Sequence, residues 1–572
     1  MTKRKSVSSS TPERASGRIQ SISTGVPGFD AVLGGGLPEY SFNLIAGSPG
    51  SGKTTLAQQI VFANATEEQP ALYFTVLGEP TLKMLRYQQE FTFFDSSRVG
   101  SAIQYINLSE EALDYDLTAV LDRIVQEVRR VKPKFVIVDS FRTITGRDAE
   151  SSSADAMSIN HFIQRLALHL TTWEVTSFLI GEYAEQEQRN PVFTVADGVF
   201  WLSQVTDRNS VVRKLQIVKA RGRATMPGLH TFRITNGGVQ IFPRIPEQLL
   251  AQRPQSSHRL TTGVPGLDEL MGGGIPAGDA VMLVGPAGSG KTTFAVQFAA
   301  GALQADEAVV VVVFEEYPEE YLARARGRNQ DLRTAVDAGK LRIIYLRPLD
   351  LSVDETLAEI QNAVDAIGAQ RVVIDSLSGF EVALAPAFRE DFRESLYRLV
   401  GALTATGVTI FMTYEAAGGY PDVLVAKEKV FFVTDDIIVQ HFVEIDGLLR
   451  KVLAIHKMRG SEHSHEFRTF EINENGAVVG GPLKNFHGIT TGNPRRETRT
   501  SHGAYEGLTD EESVCLDMLV RVKSATAEQL SARMGTIPAQ LAATLARLEE
   551  LGYAKRSAED DRVYRAVAQM GG

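Results

Sequence analysis

The sequence repeats itself at a spacing of 238 residues, and this repeat limits the fold more than any other feature. Ser23-Thr-Gly-Val-Pro-Gly-Phe-Asp30 returns as Thr261-Thr-Gly-Val-Pro-Gly-Leu-Asp268, and Gly34-Gly-Gly-Leu-Pro38 as Gly272-Gly-Gly-Ile-Pro276. Gly47-Ser-Pro-Gly-Ser-Gly-Lys-Thr-Thr55 returns as Gly285-Pro-Ala-Gly-Ser-Gly-Lys-Thr-Thr293, and Lys219-Ala-Arg-Gly222 as Lys457-Met-Arg-Gly460. A period this long exceeds that of any solenoid, so each copy is expected as a whole domain. The first spans residues 19–244 and the second 260–482.

The remaining stretches read differently. Residues 1–18 are basic and Ser-rich with no apolar run behind them, so a disordered tail is expected there, and no secretory signal. Residues 245–259, rich in Pro and Gln, are expected as a linker. Residues 483–507 lack periodicity and are expected as a flexible one. From 508 to 572 the pattern changes again. Thr509-x-x-Glu512 and Thr526-x-x-Gln529 are capping boxes, and Pro538 opens a third apolar-periodic helix that stops at Gly552. Tyr553–Arg556 and Arg562–Arg565 predict a hairpin, giving a winged-helix-like module.

Composition narrows the class. With 43% hydrophobic residues the chain can bury a large core, and its densest apolar run, Ala308 to Phe314, is far too short to span a bilayer. Cys515 is the one cysteine, so no intrachain disulfide can form and a cytoplasmic protein is expected. The net charge of −10 argues against a protein that coats nucleic acid. The tail, with eight basic and ten acidic residues from Leu508 onward, is a poor DNA footprint. Its predicted reading helix offers only Arg547 beside Glu549 and Glu550, so a protein partner is the expected ligand of this module.

Each copy places Gly-x-x-x-x-Gly-Lys-Thr directly after an apolar strand. The backbone of Gly47, Pro49, Gly50, Ser51 and Gly52, and of Gly285, Ala287, Gly288, Ser289 and Gly290, is expected to wrap ATP phosphates. The next helix adds its positive end, Lys53 and Lys291 reach the terminal phosphates, and Thr54 and Thr292, followed by Thr55 and Thr293, start the helix. A second strand in each copy ends in an acid: Lys134-Phe-Val-Ile-Val-Asp139 and Arg371-Val-Val-Ile-Asp375. Near-continuous apolar runs are what parallel strands buried on both faces require, so an α/β fold with a mainly parallel sheet is expected. Its ligands sit beyond the strand ends, where Asp139 and Asp375, with Thr54 and Thr292, would hold Mg²⁺.

The copies differ at a third strand end. Val309 to Phe314 delivers Glu315-Glu316, carboxylates that can orient or deprotonate the attacking water. The same offset lands on Leu77-Gly78 in the first copy, with Glu79 one place late and so facing the other side of a strand. Lys219 with Arg221, and Lys457 with Arg459, are spaced i, i+2 and are expected to point together at one anion. His456, His463 and His465 have no accompanying Cys or carboxylate spacing and do not make a zinc motif.

Together these residues resemble the KaiC group of RecA-like ATPases over about Ile19 to Pro482. The resemblance rests on the paired Ser/Thr-x-Gly-x-x-Gly-x-Asp openings, the Gly-Gly-Gly runs, both P-loops, Glu315-Glu316 and the Lys-x-Arg-Gly endings. It implies two tandem RecA-like P-loop domains per chain, stacked as a double ring in a homohexamer with ATP and Mg²⁺ between subunits. It also implies that Glu315 and Glu316 are catalytic acids and that Lys457 and Arg459 act on a neighbour's ATP. The chain departs from the cyanobacterial clock protein at three places. Leu77-Gly78 replaces a glutamate pair, Phe431-Phe432 replaces an autophosphorylated Ser-Thr pair, and the tail replaces a short terminal peptide. The expected function is a nucleotide-driven switch with hydrolysis in the second domain and a structural ATP in the first. A Ser/Thr autokinase and a DNA-dependent RecA-like motor, working through loops at Phe141–Asn160 and Leu377–Arg389, are the alternatives.

Overall fold

The computed structural model describes residues 20–76, 81–113, 117–140, 153–183, 191–207, 210–244, 258–327, 331–346, 351–389, 392–416, 433–445, 447–484, 486–489, 495–496, 508–534, 536–558 and 560–567. Each copy forms a nine-stranded sheet with the same strand order. In the first, six parallel strands run Ile103–Asn107, Ala71–Thr75, Phe135–Asp139, Thr176–Glu182, Phe42–Gly47 and Gly198–Asp207. Three more, Ser210–Ala220, Leu229–Thr235 and Gly238–Phe242, continue the sheet antiparallel. The second sheet repeats this as Leu341–Tyr345, Val309–Val313, Arg371–Asp375, Thr409–Glu415, Ala280–Gly285 and Asp436–Ile445, then Leu448–Lys457, Arg468–Asn473 and Gly476–Pro482.

The apolar runs are buried because helices cover both faces. All six residues of Phe42–Gly47 and of Ala280–Gly285, and all five of Val309–Val313, are buried. On one face of each sheet the P-loop helix, Lys53–Asn64 or Lys291–Gln304, packs into one core. On the other, Leu117–Val131 with Ser153–Thr172, or Val353–Ile367 with Phe392–Ala405, closes a second core. The tandem α/β fold expected from the sequence is therefore present in both copies. The segment Leu377–Arg389, expected as a loop, is helical over Leu377–Ala383 and Pro386–Arg389; Ser376 caps the first of these by accepting from Gly379 N.

The most conspicuous repeated motif turns out to be structural. In the first copy Asp30 accepts from Thr24 N at 2.8 Å, Thr24 Oγ1 at 2.6 Å and Ser23 Oγ at 2.6 Å. Asp268 accepts from Thr262 N at 2.8 Å, Thr262 Oγ1 at 2.5 Å and Thr261 Oγ1 at 2.6 Å. The Gly before the helix is required by its surroundings: a Cβ on Gly28, at φ +79°, would lie 1.9 Å from Ile241 O. The aspartate thus ties the entry loop to a short helix. Hydrogen bonds to a charged group contribute roughly 1.5–3 kcal/mol, and Thr262 is fully buried. Asp268→Ala should therefore cost about 2 kcal/mol, read as a lower unfolding midpoint with nucleotide binding retained. An unchanged midpoint would contradict this account.

The C-terminal unit has its own core, centred on Cys515, Leu519, Leu530, Leu545 and Leu548. Helices Asp510–Val522, Ala527–Met534 and Pro538–Glu550 follow the expected pattern, and both capping boxes form reciprocally. The hairpin Ala554–Arg556 with Val563–Ala566 gains a third strand, Ala525–Thr526, on its far side. Residues 483–507, expected as a featureless linker, carry a strand pair, Phe486–His487 with Arg495–Arg496, so part of that segment is ordered. The linker expected at residues 245–259 falls almost wholly outside the described residues, and residues 1–19 lie wholly outside them.

Candidate functional site

The site begins with the P-loop. The strand ends at Gly47 or Gly285, the chain turns, and the helix starts at Lys53 or Lys291. The residue before each helix, Gly52 or Gly290, sits at φ +97° or +107°, in the left-handed region. A Cβ there would lie 2.6 Å from Ile234 Cδ1 in the first copy and 2.1 Å from Ile472 Cδ1 in the second. The left-handed conformation therefore favours glycine, and any larger residue would also have to displace the isoleucine methyl. Gly50 and Gly288, also at positive φ, face open space.

The lysine ends fold back over the loop. Lys53 Nζ donates to Gly47 O at 3.1 Å and Ser48 O at 2.7 Å; Lys291 Nζ donates to Gly285 O at 3.0 Å and Pro286 O at 2.9 Å. Burial pushes both lysine pKa values down. Ser51 Oγ and Ser289 Oγ are buried in the loops without a hydrogen-bond partner among the described groups. Helix N-termini, inward cations and orphaned hydroxyls together fit the phosphates of a nucleotide.

The aspartates arrive where the sequence puts them. Thr54 Oγ1 donates to Asp139 Oδ2 at 2.8 Å. In the second copy Thr413 Oγ1 donates to Asp375 Oδ1 at 2.5 Å, and Thr292 also hydrogen-bonds Asp375. Burial raises the Asp375 pKa against these donors. A helix-start hydroxyl beside a strand-end carboxylate is a hard-oxygen donor set suited to Mg²⁺, which keeps most of its water and takes few protein ligands.

A cavity of about 630 Å³ opens over the second P-loop. Glu315 and Glu316 both line it, but their surroundings differ. Glu316 accepts from Arg324 Nη2 at 2.6 Å; burial pushes its pKa up, with Arg324 opposing. Glu315 is exposed, and its near neighbour is Ser376 Oγ at 3.3 Å. Glu315 is thus the carboxylate open to a water, and Glu316 is tied to an arginine. Their first-copy counterparts, Leu77, Gly78 and Glu79, lie outside the described residues, as do Phe431 and Phe432.

The cation pairs lie elsewhere. The strands end at Ala220 and Lys457, so Arg221 and Arg459 sit in the turn beyond them and not on the shared strand face expected from i, i+2 spacing. Lys219 Nζ donates to Phe193 O at 3.2 Å and Thr194 O at 2.8 Å, and Lys457 Nζ to Thr434 O at 2.5 Å. Arg221 pairs with Asp197 at 3.0 Å and Arg459 with Asp435 at 3.3 Å. Asp197 and Asp435 in turn accept from Phe42 N and Ala280 N, the first residues of the P-loop strands. Each arginine is therefore anchored at the opposite end of its own P-loop strand, about 17 Å from the phosphate cradle at 3.3 Å per residue. Both stay mostly exposed, at 61% and 67%.

One pair of residues escaped the sequence reading. Glu415 ends the strand beside the P-loop strand, lines the cavity and lies 3.5 Å from Lys291 Nζ. Glu182 holds the same place in the first copy and acts electrostatically on Lys53. The signal was available as Thr176-Ser-Phe-Leu-Ile-Gly-Glu182 against Thr409-Ile-Phe-Met-Thr-Tyr-Glu415. These segments are offset by 233 residues (415 − 182), so a fixed 238-residue comparison misses them.

Two phosphate cradles on parallel α/β sheets, each with a strand-end aspartate, define a tandem P-loop ATPase. The family profile described as "ATPase: KaiC" matches residues 22–245 and again 260–484, and the chain belongs to that family. It is 28% identical over 509 residues to the circadian clock protein KaiC3 of Synechocystis sp., covering 86% of this chain and 98% of that protein. It is 29% identical over 501 residues to the circadian clock oscillator protein KaiC of Thermostichus vulcanus, covering 85% and 94%. The corresponding protein of Prochlorococcus marinus is 28% identical over 489 residues, covering 84% and 97%. Among the described residues no helix is long and apolar enough to cross a membrane.

Proposed function

We propose that this chain is a hexameric, Mg²⁺-dependent ATPase that hydrolyses ATP in its second domain and keeps a long-lived ATP in its first. The observation that carries this reading is the separation of each arginine from its own cradle. Arg459 is exposed yet anchored at the far end of its P-loop strand, so it serves a nucleotide only if a neighbouring chain presents one. Ring closure meets that requirement, and Arg221 stands ready in the same way in the first domain. In the second site Lys291 and the loop amides bind phosphate, Thr292 and Asp375 would hold the cation, and Glu315 orients the water. Bound Mg²⁺ would neutralise charge developing on the phosphates. ATP turnover with each domain disabled in turn is the test: loss must follow Glu315 and not the first domain.

A route for nucleotide state to pass between domains supports a switch. Strand Leu229–Thr235 sets Phe232 and Ile234 near Gly52 of the first P-loop, while Arg233 between them pairs with Glu355 of the second domain. Autokinase activity finds little support: Thr434 is 1% exposed, a poor position for a phosphate acceptor.

The C-terminal module, winged-helix-like in its helices and hairpin, is assigned to a protein partner. Arg547 is engaged with Glu512 and Glu550, Arg556 with Glu549 and Asp561, and Arg562 with Asp560. Base edges are read by free Arg, Lys, Asn or Gln side chains, and these arginines already carry carboxylate partners. In a titration of the full chain with duplex DNA at physiological salt, removing residues 508–572 should change nothing. Sub-micromolar binding that disappears with the tail would overturn the assignment.

A further inference from the structure

The metal-holding carboxylate of the first domain stands in a polar nest that the second domain lacks. Asp139 Oδ2 accepts from Thr54 Oγ1 at 2.8 Å and also from the Tyr73 hydroxyl at 2.7 Å. Tyr73 is fully buried on strand Ala71–Thr75, its ring 5.2 Å from that of Tyr105 on the next strand. Burial, then the charge of Asp139, drives the Tyr73 pKa well up, so its hydroxyl stays a proton donor. The Tyr105 hydroxyl is buried without a partner among the described groups. Gln58, a fully buried residue of the P-loop helix, reaches the Tyr73 hydroxyl.

At the 238-residue offset the second domain has Val296, Val311 and Ile343 in place of Gln58, Tyr73 and Tyr105. Its aspartate is held from the opposite neighbouring strand, by Thr413. The same fold therefore supports an aliphatic lining here without difficulty. A buried unsatisfied polar group costs roughly 1–3 kcal/mol, so the nest is expensive unless it serves the carboxylate.

We propose that Tyr73, backed by Tyr105 and Gln58, is a positioning residue for the first nucleotide site. It fixes the Asp139 carboxylate through Oδ2. Partners that orient a metal-holding carboxylate are typically worth 10–100-fold in metal affinity. In the second site the corresponding donor is the Thr413 hydroxyl, which reaches Asp375 from the other neighbouring strand. This role deepens the reading of the first nucleotide site proposed above and rests on Asp139 holding the cation.

The experiment uses the full chain carrying Lys291→Ala, so that a fluorescent ATP analogue reports the first site, and titrates Mg²⁺. Tyr73→Phe removes one oxygen and keeps the ring. It should raise the Mg²⁺ concentration for half-maximal retention 10–100-fold and leave Mg²⁺-free nucleotide binding unchanged. Tyr105→Phe, which removes a hydroxyl that does not touch Asp139, should shift it far less, and Asp139→Asn at least as much as Tyr73→Phe. A Tyr73→Phe curve that overlays the parent while Asp139→Asn shifts overturns the role of Tyr73 and leaves the site reading standing. Equal shifts for Tyr73→Phe and Tyr105→Phe would mean general loosening and would also overturn it. No shift for Asp139→Asn overturns the site reading itself.

Discussion

Glu315→Gln should remove most of the ATP turnover of the whole chain, by about 10²–10⁴-fold, the usual range for losing a general base. The amide keeps the size and the contact to Ser376 but cannot take a proton from water. Glu316→Gln should cost less, because that carboxylate is already committed to Arg324 at 2.6 Å. Nucleotide binding should survive in both variants, since Lys291, Thr292 and the loop amides are untouched. Lys53→Ala disables the first cradle and should act differently. A ligand bound only by the assembled form stabilises it by mass action, so losing the first-domain ATP should weaken the ring more than it slows each surviving second site. Steady-state turnover beside a native-mass measurement separates the two effects. Half or more of the turnover remaining in Glu315→Gln would mean that the first domain is a working ATPase.

Arg459→Ala should be as damaging although the residue lies at the far end of the sheet from its own cradle. A cation supplied across an interface to the terminal phosphate contributes on the order of 10³–10⁵ in rate. Asp435 is itself tied to the start of the P-loop strand, so truncating the arginine leaves a carboxylate that still accepts from Ala280 N. Folding should therefore change little while the rate collapses. A rate within a factor of ten of the parent would remove Arg459 from the reaction.

Much of this architecture was legible in the sequence because it is written twice. Apolar runs such as Val309–Val313 announce parallel strands, and the glycines at positions 52 and 290 announce a left-handed turn that glycine makes most readily. Phosphate-binding loops are local in sequence, so one segment carries their whole geometry. The less legible parts depend on residues brought together from distant segments. Glu415 meets Lys291 across a parallel strand pair, and the shift from a 238- to a 233-residue offset hides its first-copy twin. Tyr73 reads as an ordinary strand residue until the neighbouring strand brings Asp139 beside it. The i, i+2 rule failed at Arg221 and Arg459 because the strand stops between the two cations. The opening motif misleads in the other direction: Ser/Thr-x-Gly-x-x-Gly-x-Asp has the look of a functional signature and is a loop tie centred on Asp30 and Asp268.

The central claim is that the second site is completed by a neighbouring chain, and mixing two inactive chains tests it most directly. One chain carries Arg459→Ala and keeps Glu315; the other carries Glu315→Gln and keeps Arg459. Each alone should be nearly inactive in the second domain. In mixed rings some interfaces pair an intact cavity on one chain with an intact arginine on the next, so a substantial fraction of the parent turnover should return. No recovery, with exchange of subunits demonstrated by mass, would contradict catalysis across the interface.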